Sequence, residues 1–550
     1  MKRVKKLLLI LAFPLMVAWM AVPGDIYLEI AKNIDIFTRI YKDVTLNYVD
    51  NINPGEFLRA GIRGMLSALD PYTVFIDEKK QDDVNLMTTG KYGGVGISVG
   101  VRNDRVVIVE IMDGYSAQRQ GIFVGDIMYM VDSVLITPKN YDDISSLVKG
   151  EPGTFVNMTI LRGDAPDTLN FTLMREEIIL KNVVYYGFYP ENSGNAYIKL
   201  TGFSRPSGEE VKNAIMELKK KRPVESLIFD LRGNPGGLLD AAVDISSKFL
   251  RKGQLVVTTK GRDSSSVRNY YVQQEPLLPD VPMIILINGS SASASEIVAG
   301  ALQDHDRALV AGTKSFGKGL VQTISPLSYN TSIKITTSRY YTPSGRSIQI
   351  VDYAKDSKVI KATENVLTKE FQTDNKRNVY SGGGIMPDTL MEEKKAAEIT
   401  RALWAKGYIF KFCNNYHNKN KSISFNDIKR DKLFAEFTDF LKSEKFEYES
   451  ELVKDTYASI ENLKTNKNYV SLQGKFDALI SEVKDLSKNE INSFREEIVN
   501  ELLSELAYRY SGTEGKIKKQ MEYDTQLNSA NSAVSIITDK TKFLKLLNNK

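Results

Sequence analysis

The chain has 550 residues, of which 42% are hydrophobic, which suits several packed domains and excludes a multi-spanning membrane protein. Its 73 basic and 68 acidic residues leave a net charge of +5 that is spread along the chain, which argues against a nucleic-acid-binding protein. The single cysteine, Cys413, excludes an intramolecular disulfide, and with only two histidines a zinc or iron site is not expected. We therefore predict no metal and no cofactor.

The N-terminus has the layout of a secretion signal. Basic residues within positions 2–6 precede an apolar run from Leu7 to Val22 that contains no charged residue. We predict a signal peptide over residues 1–24, cleaved after Gly24, and hence an exported protein. The alternative is an uncleaved membrane anchor, although the run is shorter than the roughly 20 residues of a full span.

Residues 25–83 are predicted to form a helical N-terminal domain. Apolar residues recur at helical spacing over residues 36–44 and again over residues 57–66. The pattern predicts at least two amphipathic helices before the chain changes character.

The next segment, residues 84–177, resembles a PDZ domain in three motifs: YGGVGI at 92–97, SAQRQGIFVGD at 116–126 and GTFVNMTILR at 153–162. Such a domain binds a chain end as an added strand and holds its carboxylate with backbone N–H groups. A helix is predicted near residues 140–149, with Ile144 and Val148 spaced i, i+4 on one face. Alternatively, this apolar pair belongs to the core. The predicted peptide-binding residues are Gly94, Val95, Gly96, Ile97, Ile144 and Val148.

Residues 178–390 are predicted to form an α/β core. Apolar strands at residues 195–200, 226–229 and 283–288 alternate with helical patterns. The second of these strands leads into a glycine-rich segment, DLRGNPGG, at residues 230–237. Such a loop lets a substrate approach the backbone closely, or it is an ordinary turn from strand to helix.

Two later segments offer a nucleophile and a base. Ser293 lies in NGSSASASE at residues 288–296, and Lys318 lies in SFGKGLVQ at residues 315–322. A serine hydroxyl needs a neighbouring base. With only His305 and His417 in the chain, a lysine is the better candidate, and a lysine acts as a base where burial lowers its pKa from about 10.4. Ser293 also fits a helix N-cap with Glu296 completing a capping box, and a helix N-terminus stabilises an oxyanion.

The segment GTKSFGK at residues 312–318 also matches the start of a phosphate-binding P-loop. Gly319 stands where that motif needs a serine or threonine for magnesium. Residues 320–325 predict a strand where a P-loop needs a helix. Both differences argue against a nucleotide-binding enzyme.

Several separated blocks together resemble the C-terminal processing peptidases, also called tail-specific proteases. These blocks are the segments around Ser293 and Lys318, YVD at 48–50, GMLSALDPY at 64–72, DLRGNPGG at 230–237 and RYYTPSGRSIQ at 339–349. The resemblance implies a multi-domain α/β protein whose protease core has a crotonase-like or ClpP-like fold with an inserted PDZ domain.

The same resemblance implies a serine endopeptidase with Ser293 as nucleophile and Lys318 as base. Gln322 would orient Lys318. It implies an oxyanion hole formed by the amide of Ala294 and that of Gly236 or Gly237. Substrates would be exported proteins whose C-terminal tails bind the PDZ domain, and the compartment would be the periplasm, or the outer face of the inner membrane, of a bacterium. In that family the N-terminal helical segment packs on the protease and can mediate homodimers.

Residues 391–550 are rich in lysine and glutamate and poor in glycine and proline, which predicts a helical C-terminal domain. Amphipathic stretches cover residues 394–406, 432–443 and 489–508, and a frayed polar tail is expected after them. This domain is not part of the family's minimal pattern, and the resemblance ends here. We expect it to pack on the core, to dimerise or to receive an adaptor or activator protein, as in related periplasmic enzymes.

Two other classes of function share features with this sequence. A non-catalytic PDZ adaptor on a protease-like fold predicts loss of the nucleophile or the base, yet Ser293 and Lys318 are both present. An enoyl-CoA-handling enzyme shares the crotonase-like core, since fold does not fix function. The export signal and the PDZ domain argue against an acyl-CoA substrate.

Overall fold

The computed structural model describes residues 24–102, 104–162, 168–353, 359–361, 369–463, 469–529 and 531–548. Residues 1–23, on which the signal-peptide prediction falls, lie outside these ranges. The chain divides into two compact units, Met1–Ile76 with Ile324–Ile335 and Tyr353–Lys358, and Asp77–Thr323 with Thr336–Asp352 and Val359–Lys550. Over the described ranges, every helix is too short or too polar to cross a membrane.

The first unit contains two helices and a short strand. Asn53 caps the second helix by accepting a hydrogen bond from the Glu56 amide at 3.2 Å. Tyr41 stacks on Phe57 with ring centroids 5.7 Å apart, which joins the two helices. The strand pairs antiparallel with residues 332–334. The elements are α1 (Gly24–Asn47), α2 (Pro54–Ser67) and β1 (Val74–Ile76).

The second unit begins with an antiparallel sheet of order β3-β4-β5-β7-β8, with β6 on β5, while β2 pairs with β9. Along one strand Val156, Met158 and Ile160 alternate inward, as expected where one face of a sheet is buried. The elements are α3 (Gln81–Thr89), β2 (Lys91–Gly94), β3 (Ile97–Arg102), β4 (Arg105–Ile111), α4 (Ser116–Arg119), β5 (Ile127–Val131), β6 (Val134–Leu135), α5 (Ile144–Val148), β7 (Phe155–Leu161), β8 (Thr168–Met174) and β9 (Glu176–Ile179).

The α/β core follows, with a sheet of order β10-β11-β12-β15-β16-β23 in which only the first pair is antiparallel. Its elements are β10 (Val183–Phe188), β11 (Asn195–Leu200), α6 (Ser207–Lys221), β12 (Ser226–Asp230), α7 (Leu239–Ser246), β13 (Leu255–Lys260), β14 (Arg268–Tyr271), β15 (Met283–Ile287), α8 (Ala294–Asp304), β16 (Leu309–Gly312), β17 (Leu320–Pro326), β18 (Ser332–Tyr341), β19 (Val351–Tyr353), β20 (Val359–Lys361), β21 (Glu370–Gln372), β22 (Asn378–Tyr380) and β23 (Thr389–Leu390).

The central strands of this sheet are buried on both faces, which explains why they are continuous apolar runs. Leu227 and Phe229 of β12 face a cluster with α6, α7 and α8, whereas Ile228 between them faces a separate cluster. Because parallel strands end at the same edge, the segments after β12 and β15 meet there. That edge is where Gly236, Gly237 and Ser293 lie.

Every regular element in the described residues of the C-terminal region is a helix. A cluster of apolar side chains that includes Leu403, Phe412, Phe437 and Leu502 forms its core. The helices are α9 (Glu398–Ala405), α10 (Tyr408–Lys419), α11 (Arg430–Ser443), α12 (Glu451–Leu463), α13 (Tyr469–Ser493), α14 (Arg495–Tyr523), α15 (Thr525–Asn528), α16 (Ala533–Thr538) and α17 (Lys540–Asn548). Mixed sheets with a helical C-terminal region confirm the predicted multi-domain α/β class.

Two features of this region differ from the sequence prediction. The amphipathic stretch at 489–508 is not one helix, because Phe494 leaves the helical conformation between α13 and α14. The expected polar tail is folded instead: Leu527, Ile536, Ile537 and Phe543 are buried in the cluster that contains Ile228 of the core sheet. Contacts with the sheet order a segment whose short helices give weak periodic signals.

Candidate active site

Ser293 lies in the turn between β15 and α8. Its backbone has φ 54° and ψ −111°, in a region that residues other than glycine rarely adopt. Such strain persists only where surrounding contacts hold it, and it concentrates at functional sites. The residue is half-buried and occupies the N-cap position of α8, as the capping-box pattern predicted.

Glu296 joins the serine and lysine segments through a buried carboxylate. Its Oε2 atom accepts hydrogen bonds from the backbone N–H of Ser293 at 2.8 Å and from that of Lys318 at 2.9 Å. Its Oε1 atom accepts from the Ser315 hydroxyl at 2.5 Å and from the Gly317 N–H at 2.6 Å. The backbones of Ser293 and Lys318 therefore share one acceptor atom.

Tyr340, on β18, contacts the same two residues through its buried hydroxyl. This hydroxyl lies 2.7 Å from the carbonyl oxygen of Lys318 and 3.1 Å from that of Ser293, and donates to both. Burial, together with the nearby charge of Glu296, raises the pKa of Tyr340, so the group stays a donor. In addition, the Phe316 amide donates to the Ser291 carbonyl at 3.0 Å. The structure thus brings the two segments together through several backbone contacts.

The ionisation of Glu296 depends on these contacts. Burial raises its pKa to about 7, while the hydrogen bonds from Ser315, Lys318, Gly317 and Ser293 oppose that rise. All four groups donate, and the ionised carboxylate can accept all four hydrogen bonds. The O–H group of the protonated acid would instead face one of these donors. Ionised Glu296 is therefore the form that matches this arrangement.

Gln322 lies on β17, four residues after Lys318. Its side-chain Nε2 donates to the Thr336 hydroxyl at 3.2 Å, across to β18. The amide of Gly319 donates to Gln349 Oε1 at 2.6 Å, which fixes the segment between Lys318 and Gln322. A role for Gln322 in orienting Lys318 stays a prediction.

The glycine-rich segment after β12 passes directly against the Ser293 turn. Gly236 has φ +99°, and a Cβ atom there would meet the Ala292 carbonyl oxygen at 2.6 Å and the Ala294 nitrogen at 2.9 Å. A Cβ atom on Gly237 would meet the Phe203 carbonyl oxygen at 2.4 Å. Only glycine permits this close approach of the loop to its neighbours, which an ordinary turn from strand to helix does not require.

The backbone amides of this loop are not equivalent. The Gly236 N–H donates to Asn234 Oδ1 at 2.9 Å, so it is already paired. The Gly237 and Ala294 amides have no hydrogen-bond acceptor among the described residues. For Ala294 this follows from its place in the first turn of α8, where N–H groups lack intrahelical partners. Of the two glycines, the geometry favours Gly237 as a free donor.

The predicted peptide groove is a cavity of about 270 Å³ beside β3 and α5. Val95, Ile97, Ile144 and Val148 all line it. Ile144 and Val148 are also buried in the core of the antiparallel sheet, as the core interpretation predicted, and their contact with a bound peptide stays a prediction. Gly94 and Gly96 flank Val95 in the chain. Other lining residues are Tyr92, Val99, Tyr141, Asp142, Ser145 and Lys149.

Three family models match the sequence. Residues 194–359 match peptidase family S41, residues 107–162 match the PDZ domain, and residues 399–534 match the C-terminal helical domain of a probable PDZ-protease. Together they define a serine-type peptidase that carries a PDZ domain. The third match includes most of the predicted C-terminal helical domain, residues 391–550.

The chain is 38% identical over 333 residues to the carboxy-terminal-processing protease of Bartonella bacilliformis, covering 60% of this chain and 75% of that protein. It is 28% identical over 465 residues to a probable CtpA-like serine protease of Staphylococcus aureus, covering 83% and 85%. The solved photosystem II D1 C-terminal processing protease is 27% identical, with a TM-score of 0.33, over 59% of this chain and 90% of that one. The chain belongs to the carboxy-terminal-processing protease family, which confirms the predicted family and enzyme class.

Sequence reasoning missed the way in which Glu296 and Tyr340 act together. Glu296 was visible only as part of a capping box, and Tyr340 only as one letter of the RYYTPSGRSIQ block. Both act through contacts that span more than 20 residues of chain, which no local pattern reports. Within the described ranges, no group of three or more His, Cys, Asp or Glu side chains is arranged to hold a metal ion.

Proposed function

We propose that this peptidase cleaves peptide bonds with Ser293 as nucleophile and Lys318 as general base. The observation that carries the proposal is the shared binding of both backbones by Glu296 and Tyr340. The positive φ of Ser293 supports this assignment, because backbone strain of this kind concentrates at active sites. The neighbouring Lys318 segment offers the base that a serine nucleophile needs.

In this mechanism the neutral amine of Lys318 takes the hydroxyl proton as Ser293 Oγ attacks the scissile carbonyl. The tetrahedral intermediate collapses when the protonated lysine gives the proton to the leaving amine, which leaves an acyl-enzyme on Ser293. Water then attacks with the same base, and hydrolysis frees the serine. Gln322 is proposed to orient Lys318 during both half-reactions.

The developing oxyanion is proposed to bind the amides of Ala294 and Gly237. Their N–H groups have no acceptor within the described part of the chain, whereas the Gly236 N–H is bound to Asn234. Gly236 contributes by letting the loop approach the Ser293 turn without a side chain between them. Each such donor typically contributes about 3 kcal/mol to transition-state stabilisation.

Substrates are proposed to be exported proteins that present a C-terminal tail. The tail would add as a strand along β3, with its carboxylate at the backbone of Gly94, Val95, Gly96 and Ile97 and its side chains in the groove. In the described residues β3 pairs on one side only, with β4, so its other edge is open to a strand. Export by residues 1–24, dimerisation through residues 25–83 and an adaptor on the C-terminal helices complete the proposal.

The test is a cleavage assay on purified protein. Unfolded casein and peptides that end in either a free carboxylate or an amide are incubated with wild type, with Ser293→Ala as the reference, and products are identified by mass spectrometry. Cleavage by wild type alone, faster for apolar free tails, supports the proposal. Undiminished cleavage by Ser293→Ala would contradict the assignment of the nucleophile.

The PDZ part of the proposal has its own prediction. Ser145 is exposed and lines the groove, so Ser145→Trp should fill it and raise KM for free-tail substrates about tenfold, with kcat unchanged. Ser146 is equally exposed on α5 but does not line the cavity, so Ser146→Trp is the matched control. Equal KM values for both variants would show that tails do not bind in this groove.

A further inference from the structure

The loop that carries Gly236 and Gly237 is fixed to the Ser293 turn on its front side. The Asn234 carbonyl accepts hydrogen bonds from the Ala292 amide at 3.0 Å and from the Ser295 hydroxyl at 2.9 Å. The Ser291 hydroxyl donates to the Leu231 carbonyl at 2.8 Å. A displacement of the glycine loop would therefore move the free amides relative to Ser293.

The rear side of the same loop is held by Arg232. Its guanidinium binds the fully buried Asp230 through two hydrogen bonds, Nε to Oδ1 at 3.0 Å and Nη2 to Oδ2 at 2.7 Å. Burial alone would raise the pKa of Asp230, but Arg232 and Lys199 bring it well below its usual range. Arg232 and Asp230 thus form a largely buried ion pair.

The remaining contacts of this guanidinium come from the C-terminal region. Nη2 also donates to Asp524 Oδ2 at 2.6 Å, and Nη1 donates to Gln526 Oε1 at 2.7 Å. These partners are almost 300 residues away in sequence and lie at the junction of α14 and α15. They complete a set of acceptors around Arg232 that the core itself does not supply.

Asp524 and Gln526 are each fixed by a second contact. Asp524 Oδ1 caps α15 by accepting from the Leu527 amide at 3.1 Å, which leaves Oδ2 for Arg232. Gln526 is buried, and its Nε2 donates to the Met391 carbonyl at 2.7 Å, which leaves Oε1 for Arg232. Because both side chains are held at one atom, they present the other to Arg232 in a defined place.

We infer that Asp524 and Gln526 are positioning residues for catalysis, through which the C-terminal helical region holds Arg232 and thereby the glycine loop. The inference rests on the proposed function, because it concerns the loop that carries the Gly237 amide. Neither residue contacts Ser293 or Lys318 in the structure's hydrogen bonds. Because they act through Arg232, they affect kcat and leave the binding of the substrate tail unchanged.

The test compares Asp524→Asn and Gln526→Ala with wild type on one peptide substrate. Asparagine is as good an N-cap as aspartate, so Asp524→Asn keeps the cap of α15 and removes the charge that faces Arg232. We expect kcat to fall between about 10-fold and 100-fold, less than the loss from deleting an oxyanion donor. KM, and the affinity of the tail peptide measured in a Ser293→Ala background, should stay within about twofold.

Asp539→Asn is the matched control. Asp539 also accepts an amide hydrogen bond in the C-terminal segment, from Lys542 at 2.9 Å, but is exposed and makes no contact with the glycine loop. If Asp524→Asn and Gln526→Ala both keep wild-type kcat while Ser293→Ala is inactive, the inference is wrong and the proposed function still holds. Cleavage by Ser293→Ala would overturn the proposed nucleophile instead. An equal fall of kcat in Asp539→Asn would overturn the inference by showing a general loss of stability.

A double-mutant cycle separates positioning from general support. If Asp524 acts through Arg232, Asp524→Asn should lower kcat clearly less in an Arg232→Lys background than in wild type, because residues in one network are not additive. The thermal unfolding midpoint is followed in all four proteins. Full additivity in kcat would contradict a shared route through Arg232.

Discussion

Replacing Lys318 by alanine is expected to lower kcat at least about 1000-fold. General-base catalysis contributes about 100-fold to 10,000-fold, and a serine hydroxyl without a base is a weak nucleophile. Lys318 is bound through its backbone by Glu296 and Tyr340, so removal of its side chain leaves those hydrogen bonds in place. The measurement is steady-state kcat and KM on one tail peptide, and KM should change little.

Lys314→Ala is the matched control for this prediction. Lys314 is an exposed lysine in the same segment, four residues before Lys318, so Lys314→Ala removes the same type of side chain from a nearby position. Its kcat should stay within about twofold of wild type. If circular dichroism shows that Lys318→Ala is folded and its kcat lies within tenfold of wild type, Lys318 is not the general base.

The second large effect is expected for Glu296→Gln, which should lower kcat about 100-fold or more. The carboxylate accepts from Ser293, Lys318, Ser315 and Gly317. A glutamine side chain keeps one oxygen but replaces the other with an NH₂ group, which cannot accept. Either the Ser293 and Lys318 pair or the Ser315 and Gly317 pair then faces a donor. The reacting residues lose their common anchor, and kcat should fall with KM nearly constant.

The control for this change is Glu209→Gln, which alters an exposed glutamate in the first turn of α6. Its kcat should equal that of wild type. If Glu296→Gln retained wild-type kcat, the carboxylate would be a helix cap only. That outcome would remove the observation on which the dyad assignment depends.

The pKa of Glu296 adds a pH-dependent readout of the same variant. Because burial raises this pKa from 4.5 to about 7, the folded protein binds the proton more tightly than the unfolded chain between these values. The contribution of Glu296 to the free energy of unfolding is thus largest at low pH and falls as pH rises from about 4.5 to 7. The fall amounts to about 3 kcal/mol. Urea unfolding of wild type minus Glu296→Gln should show it, and a pH-independent difference would contradict the raised pKa.

Much of the fold follows from local sequence signals. The strand predicted at 195–200 is β11, and apolar runs at 226–229 and 283–288 lie in β12 and β15, because strands covered on both faces are continuous apolar segments. The helix of the PDZ domain was harder to place. Only Ile144–Val148 is α-helical, after a 3₁₀ turn over Pro138–Asp143, and such short elements give little periodicity.

For the site, too, local motifs predict some features and long-range contacts supply the others. The motifs alone point to Ser293 and Lys318 as candidate nucleophile and base, because acyl transfer needs an activated hydroxyl, whereas the oxyanion role of the glycine pair is implied by the family resemblance. The candidate groove is likewise predictable from sequence, since Val95, Ile97, Ile144 and Val148 belong to one PDZ-like segment and line one cavity.

The tertiary structure is needed to see how these groups are held. It shows that Glu296 binds both backbones and that Asp524 and Gln526 bind Arg232 from the far end of the chain. It also shows that, among the residues described, the Gly236 amide has an acceptor and the Gly237 amide has none. Periodicity, capping and turn chemistry are properties of a few consecutive residues, so they are legible in sequence. A hydrogen bond between residues almost 300 positions apart depends on how whole elements pack, and no local pattern contains it.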